Sequence, residues 1–257
     1  MPQQSSCREL EVLALQFADS QQRFCHLYLQ PPEWEYTVGQ FVMLRAESFG
    51  CELPLGRPLS ICELNTRYLH LFFQVRGRGT KRLAALRTGD KVTVWGPLGN
   101  GFFYTGEQSL LLLAGGIGIA PFFQMARVHP RPELLRLLFG HQPDPACYSL
   151  DIFSGLGASE FFHQRRPEDL PVFIDLLEKE MAGAAQENRL VLACGPLPFL
   201  KTVQELAARH EVQAQLSLET RMGCGVGACL GCMVEGKERL LPTCTCGPVF
   251  RASDMKL

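Results

Sequence analysis

Between Met222 and Phe250 the chain reads Gly223-Cys224-Gly225-Val226-Gly227-Ala228-Cys229-Leu230-Gly231-Cys232, with two further thiols, Cys244 and Cys246, ahead of Gly247-Pro248-Val249-Phe250. The first three cysteines fall in a Cys-x4-Cys-x2-Cys arrangement, and no other stretch limits so strongly what the chain can become. A hydrophobic core loop has no use for glycine at 223, 225, 227 and 231. A loop that wraps thiolates around a small anionic group does, because glycine lets the backbone turn and bring its N–H groups to sulfur without a Cβ in the way. The spacing is that of a plant-type [2Fe-2S] site. Structural zinc also takes four thiolates, but zinc sites usually offer two short-spaced pairs rather than three close thiols and a distant one. The metal ligands expected are therefore Cys224, Cys229 and Cys232, with a fourth from Cys244 or Cys246. Both are within reach, and spacing alone does not choose between them.

A chain of 257 residues holds about two domains, or two and a small appendage. A net charge of -1 gives no electrostatic case for nucleic acid or an anionic membrane surface. Residues 1–10 are polar, without the apolar core of a signal peptide. The longest apolar run, Leu110 to Phe123, is broken by three glycines and falls short of the roughly 20 residues that span a bilayer. Eleven cysteines, five of them in one motif, fit metal ligation in a reducing compartment better than a disulfide framework, so a cytoplasmic location is expected. Cys7, Cys25, Cys51, Cys62 and Cys147 are scattered and read as core or incidental thiols.

From residue 8 to about 103 the pattern has a period of two. Cys25, Leu27 and Leu29 alternate with Phe24, His26 and Tyr28, and Leu69, Leu71, Phe73 and Val75 with His70, Phe72, Gln74 and Arg76, as in half-buried strands. Turn clusters at Pro31-Pro32 and Gly89-Asp90 separate short runs, which predicts a small antiparallel barrel. Two segments within it carry chemistry. Arg57-Pro58-Leu59-Ser60 combines a guanidinium suited to a pyrophosphate with a fixed φ and a hydroxyl that can face a flavin ring. Gly77-Arg78-Gly79-Thr80 precedes a helical stretch predicted over Lys81 to Leu86, and N–H groups at a helix start attract phosphate oxygens. Gln74, Val75, Arg76, Gly79 and Thr80 join the expected flavin site, and Gly96 to Gly101 closes the barrel.

From about Ser109 the period changes. Leu110 to Ala114 is continuously apolar and ends in Gly115-Gly116-Ile117-Gly118-Ile119-Ala120-Pro121, after which Phe122, Met125 and Ala126 recur at helical spacing. This is strand, glycine turn and helix, the opening of a parallel α/β unit that can seat a dinucleotide phosphate, though Gly-Gly-x-Gly-x-x-Pro is not the usual Gly-x-Gly-x-x-Gly. A second unit, Leu190 to Ala193, then Cys194-Gly195-Pro196, then Phe199 to Arg209, repeats the arrangement. Two glycine turns at the carboxyl ends of strands predict a ligand crevice containing Gly115, Gly116, Gly118, Cys194, Gly195 and Pro196. The six histidines have no consistent spacing and read as structural, and there is no Ser/His/Asp or paired-carboxylate constellation.

The succession of a barrel with Arg-Pro-x-Ser, then Gly-Gly-x-Gly-x-x-Pro, then Cys-Gly-Pro, then a four-thiol tail resembles the electron transfer subunit of type B dihydroorotate dehydrogenase, in the ferredoxin–NADP reductase superfamily. The resemblance covers nearly the whole chain. It implies an FAD-binding β barrel over residues 1–103, an NAD-binding α/β domain with a parallel sheet over 104–214 and a small [2Fe-2S] domain over 215–257. It also implies electron transfer between NAD and an FMN-containing dihydroorotate dehydrogenase catalytic subunit in pyrimidine (UMP) biosynthesis, in a heterotetramer. FAD would join hydride chemistry at the nicotinamide to single-electron chemistry at the cluster, with Cys194 beside the nicotinamide. The family pattern Cys-x-Asp-Gly-Pro-Val-Phe places the fourth ligand at Cys244, with Cys246 where the Asp usually stands. Other relatives in the superfamily serve ferredoxin-linked transhydrogenases and sulfide dehydrogenases, the alternative reading. The family's Gly-rich Asp-Asp-Gly-Ser segment is replaced here, between Ser154 and Asp175, by Gly155-Leu156-Gly157-Ala158 and a charged run. In the superfamily the residues after the second nucleotide-domain strand meet the adenosine ribose. Here a strand predicted over Leu134 to Phe139 leads into Gly140-His141-Gln142-Pro143-Asp144, without a permanent cation, so NADH is expected to be preferred over NADPH.

Overall fold

The structure is a computed structural model that describes residues 5–257. Strands β1 (Ser6–Phe17), β2 (Phe24–Leu29), β3 (Phe41–Ala46), β4 (Arg57–Leu64), β5 (Leu69–Gln74) and β6 (Lys91–Leu98) close into an antiparallel barrel of order β1-β2-β5-β4-β3-β6. The register Cys25↔Phe73, Leu27↔Leu71, Leu29↔Leu69 points these six side chains into the barrel, where they meet Val42, Leu44, Ile61, Val92 and Val94. The alternation does not make these strands half-exposed, however. Phe24, His26, His70 and Phe72, on the other face, are buried as well, because the second domain packs against the outside of β2 and β5. The short helix α1 (Arg78–Leu83) follows β5 and begins three residues earlier than its sequence suggests. Thr80 Oγ1 accepts the N–H groups of Arg76 at 2.9 Å and Gly77 at 3.1 Å, so the cap lies inside the glycine segment rather than after it.

The second domain runs β7 (Leu110–Gly115), α2 (Phe122–Val128), β8 (Leu135–His141), β9 (Ala158–His163), α3 (Asp169–Gln186), β10 (Leu190–Cys194), α4 (Leu197–Arg209) and β11 (Ala214–Ser217). Its five strands are parallel, and β7 lies at their centre between β8 and β10. Covered on both faces, β7 has no polar side to show: Leu110, Leu112 and Ala114 pack toward the barrel, and Leu111 and Leu113 toward α3 and α4. The stretch 154–175, where the family's usual segment is missing, is not a loose substitute. It builds β9 and the start of α3, and Gly157 is required there because a Cβ would stand 2.1 Å from the carbonyl oxygen of Glu133.

After β11 the chain makes the cysteine loop, the hairpin β12 (Met233–Glu235) and β13 (Leu240–Pro242), the single turn α5 (Thr243–Cys246), and β14 (Val249–Arg251). Strand β14 returns to pair antiparallel with β11, so the C-terminal segment supplies the edge strand of the nucleotide-domain sheet, whose order is β14-β11-β10-β7-β8-β9.

Candidate functional site

On the barrel side, Arg57-Pro58-Leu59-Ser60 opens β4 opposite Leu44, Met43, Val42 and Phe41 of β3. Arg57 Nη1 donates to the carbonyl oxygens of Leu55 at 2.8 Å and Gly56 at 3.0 Å, and the guanidinium lies 5.2 Å above the Phe49 ring. The same guanidinium rests on α1 at Gly79, where a Cβ would stand 2.2 Å from Nε. Glycine at 79 is what lets the arginine lie across the helix start. Arg57 is thus fixed by one nitrogen, and among the described residues Nε and Nη2 have no protein acceptor. A fork held this way is suited to phosphate oxygens.

On the nucleotide side, Gly115 ends β7, Gly116 takes φ of 53°, and Gly118 lies against the second turn, where a Cβ would stand 2.2 Å from the carbonyl oxygen of Cys194. Gly195 in turn touches the backbone of Gly115, at 3.1 Å from its would-be Cβ. The two glycine turns are packed backbone on backbone at Gly118 and Gly195, which leaves no room for a Cβ at either. Burial pushes the Cys194 thiol up to about 12, despite a hydrogen bond with Ser217, so it stays a neutral thiol at physiological pH.

Between the two sides lies a cleft of about 1090 Å³. Its walls include Arg57, Pro58, Leu59, Ser60, Gln74, Arg76, Gly79, Thr80, Gly115, Gly116, Gly118, Cys194, Gly195 and Pro196, which the structure brings together. Val75 does not line it: its side chain packs on the barrel core, the other side of a period-two strand. Sequence reasoning missed the link Glu219, Thr220, Arg221 and Met222, which has no glycine turn to mark it. It also missed Gln164 and Leu170 on the far wall. Thr220 Oγ1 is buried without a hydrogen-bond partner, an orphaned polar atom that a ligand group would satisfy. The turn after β8 is more ordered than a solvent loop. His141 Nδ1 bonds the carbonyl of Pro143 at 2.8 Å and its ring stacks on His163 at 4.8 Å, while burial holds its pKa below the ordinary value. Asp144 is occupied in accepting the N–H of Ala146 at 2.8 Å. The absence of a permanent cation holds only for residues 140–144. The pairing His141↔His163 brings in the next segment, and Arg165 Nε donates to His163 Nδ1 at 3.2 Å.

The cysteine loop folds against the outer face of the barrel at β3 and β6. Gly225, with φ of 76°, fits against Met43 and Leu98, where a Cβ would stand 2.5 Å and 3.0 Å from their carbons. Backbone N–H groups point at sulfur: Val226 and Cys229 donate to Cys224 at 3.4 Å, Gly231 to Cys229 at 3.5 Å and Gly227 to Cys244 at 3.1 Å. The four thiols lie close enough to influence one another's ionisation, Cys229 acting on Cys224, and Cys232 and Cys224 on Cys244. Burial raises the Cys224 thiol, but the N–H donors of Val226 and Cys229 outweigh it and bring it down to about 7. Burial, with the Cys232 thiol beside it, pushes Cys244 up to about 12. Four thiols met by backbone N–H donors suit an anionic iron–sulfur cluster. Cys232 and Cys244 are buried together with Phe41, Met43 and Leu98, whereas Cys246 packs against the core of the nucleotide domain.

Solved structures with this fold define its class. The structure of an NADH-dependent reduced ferredoxin–NADP oxidoreductase, studied for flavin-based electron bifurcation, superposes with a TM-score of 0.79 at 22% identity, covering 96% of this chain and 89% of that one. Ferredoxin–NADP+ reductase from Plasmodium falciparum superposes at 0.65 with 12% identity, covering 80% and 90%. The fold is that of the ferredoxin reductases. Residues 219–256 match the iron–sulfur cluster binding domain of dihydroorotate dehydrogenase B. The electron transfer subunits of dihydroorotate dehydrogenase B (NAD(+)) from Caldanaerobacter subterraneus subsp. tengcongensis and Lysinibacillus sphaericus are each 33% identical, over 221 and 227 residues, with 84% of this chain and 86% of the relative covered. That from Clostridium perfringens is 30% identical over 235 residues, with 87% and 89% covered. The chain belongs to the family of dihydroorotate dehydrogenase B electron transfer subunits.

Proposed function

We propose that this chain carries electrons between NAD and an FMN-containing catalytic subunit that oxidises dihydroorotate, in a heterotetramer. The observation that carries the reading is Phe41: it lines the cleft opposite Ser60 and packs with Cys232 and Cys244, so one side chain of β3 separates the cleft from the thiol loop. When bound, FAD supplies hydride exchange with the nicotinamide and single-electron exchange with a [2Fe-2S] cluster.

The chain's own residues do the holding. Arg57 presents its free fork to the pyrophosphate above the Gly79-Thr80 turn, and Ser60 with the backbone of 58–60 faces the flavin ring. Gly115, Gly116, Gly118, Gly195 and Pro196 leave room for the dinucleotide to lie against bare backbone. The neutral Cys194 thiol borders the nicotinamide without adding charge. Cys224 and Cys229 would ligate one iron, Cys232 and Cys244 the other, the inner pair losing its protons to the metal as it binds. Leu55, Val226 and Leu230 leave the outer side of the loop apolar and exposed, the surface a catalytic subunit would cover.

Anaerobic co-expression with an FMN-containing dihydroorotate dehydrogenase tests the reading. A complex that reduces NAD with dihydroorotate, and contains FAD with about two irons and two labile sulfides per copy of this chain, is the expected result. Zinc without labile sulfide, or no association, would overturn it.

A further inference from the structure

Trp95, like Phe41, touches both halves of the electron path, and the proposed function gives it no role. It stands in β6 opposite Met43 of β3 and Cys7 of β1. Its indole N–H donates to the carbonyl oxygen of Cys224 at 2.9 Å, the peptide of the first thiol in the loop. The other edge of the ring lies on Gly56, where a Cβ would stand 2.5 Å from Cη2. Gly56 is the residue whose carbonyl accepts Arg57 Nη1 at 3.0 Å. One flat, rigid ring therefore connects the peptide that carries a cluster thiol to the peptide that fixes the flavin-site arginine.

We propose that Trp95 is a positioning residue that holds the cysteine loop at fixed distance from the flavin pocket and makes the cluster easier to reduce. The inference rests on the iron–sulfur reading of the loop. The physics is electrostatic. Reduction adds negative charge to the cluster, and the positive end of the indole N–H dipole beside the Cys224 peptide favours that charge. In a partly desolvated loop the effect is screened less than in water. Substitution grades the two functions. Trp95→Phe keeps an aromatic ring in β6 but removes the donor and the distal atoms Cζ2 and Cη2 that lie on Gly56. Trp95→Ala removes the ring altogether.

The test uses the full chain, purified anaerobically with its cofactors. Trp95→Phe is expected to keep wild-type FAD and iron content while the cluster's midpoint potential moves to more negative values and its visible circular dichroism changes. Trp95→Ala is expected to lose FAD as well as cluster. An unmoved or more positive potential in an iron-replete Trp95→Phe protein overturns the inference. Should that variant not fold, the wild-type chain answers the question, because it has only two tryptophans and Trp34 donates to Ser6 Oγ at 2.8 Å in the barrel. With ¹⁵N-indole labelling, one indole N–H resonance is expected to show a hyperfine shift on cluster reduction while the other stays put. Two unshifted resonances would also overturn the inference. A wild-type protein without iron and labile sulfide would overturn the functional reading and this inference together, whereas an intact cluster with an unmoved potential overturns this inference alone.

Discussion

Gly118→Ala probes the crevice at its narrowest point. The new Cβ would stand 2.2 Å from the carbonyl oxygen and 2.5 Å from the carbonyl carbon of Cys194, against an ordinary contact of at least 3.4 Å. Both obstructing atoms are backbone, so no rotamer change relieves the clash and the two glycine turns must part by about 1 Å in an interior packed at crystal density. A displacement of that size at a site that must align two reacting rings costs on the order of 100-fold in rate, or about 2.7 kcal/mol. Overpacking also destabilises the fold by about 1–3 kcal/mol, a melting-temperature loss of several degrees. The assay is NADH oxidation with an artificial acceptor that takes electrons directly from the flavin, alongside FAD content and thermal unfolding. Gly183→Ala is the control: it sits in α3 with nothing within 4 Å of a new Cβ, and should leave the rate alone while stabilising the helix by about 0.5–1 kcal/mol. A Gly118→Ala enzyme that keeps its FAD and stays within threefold of the wild-type kcat/KM would show that the nicotinamide does not lie between these turns.

Cys244→Ser should lose iron and labile sulfide while Cys246→Ser keeps both, since Cys244 faces Gly227 and Cys246 faces the other core; the reverse pattern in metal analysis would reassign the fourth ligand. Arg57→Ala removes a charge-assisted contact worth about 1.5–3 kcal/mol, so FAD should dissociate roughly ten- to a hundredfold more readily, and unchanged retention on dialysis would refute the pocket. NADH should be favoured over NADPH at least tenfold, about 1.4 kcal/mol, in kcat/KM. Arg165→Ala should weaken only the residual NADPH reaction, and an equal loss with both nucleotides would show that Arg165 does not read the ribose. Burial lowers the pKa of His26 to about 4 and of His70 to about 3, and the two rings bond each other at 2.9 Å. The unfolded chain binds protons at these sites near pH 6.5 and the folded one does not, so stability is full above pH 6.5 and falls progressively as pH drops toward 4. The double variant His26→Gln/His70→Gln should flatten that slope in melting curves, and an unchanged slope would assign the acid sensitivity elsewhere.

How much of this was legible in the sequence depends on how local each constraint is. The cysteine loop and both glycine turns could be read because their glycines answer to contacts within a few residues or to one facing backbone. Arg57 was legible for the same reason, though its dependence on Gly79 was not. What escaped was set by register and by domain contact. A period of two says that β2 and β5 have two faces, and it cannot say that a second domain covers the outer one, which is how His26 and His70 come to be buried. Arg165 stands beside the turn after β8 only because β9 pairs with β8, a neighbourhood that a reading confined to residues 140–144 could not include. Thr220 and its neighbours lie in a stretch without glycine or periodicity, and their place on the cleft wall follows from the link between β11 and the cysteine loop. Cys246, two residues from Cys244, packs against the other core across the single turn α5, a difference of side that spacing does not carry.

The return of β14 to the side of β11 makes the cysteine segment an excursion of roughly 30 residues between two adjacent strands, closed at its neck by the Leu218 N–H on the Pro248 carbonyl at 2.8 Å. Closing such a loop costs chain entropy whether or not anything is bound within it, and a metal clip offsets that cost. Strand β14 spans only three residues, but Val249 packs into the core facing the barrel and Phe250 into the core facing α3 and α4. Metal occupancy and the integrity of the sheet edge are therefore linked equilibria. Stripping the iron should be felt first as faster amide exchange at Gln215, Leu216 and Ser217, outside the cysteine loop, so that cofactor loss registers as local unfolding of the nucleotide domain before it registers as lost electron transfer.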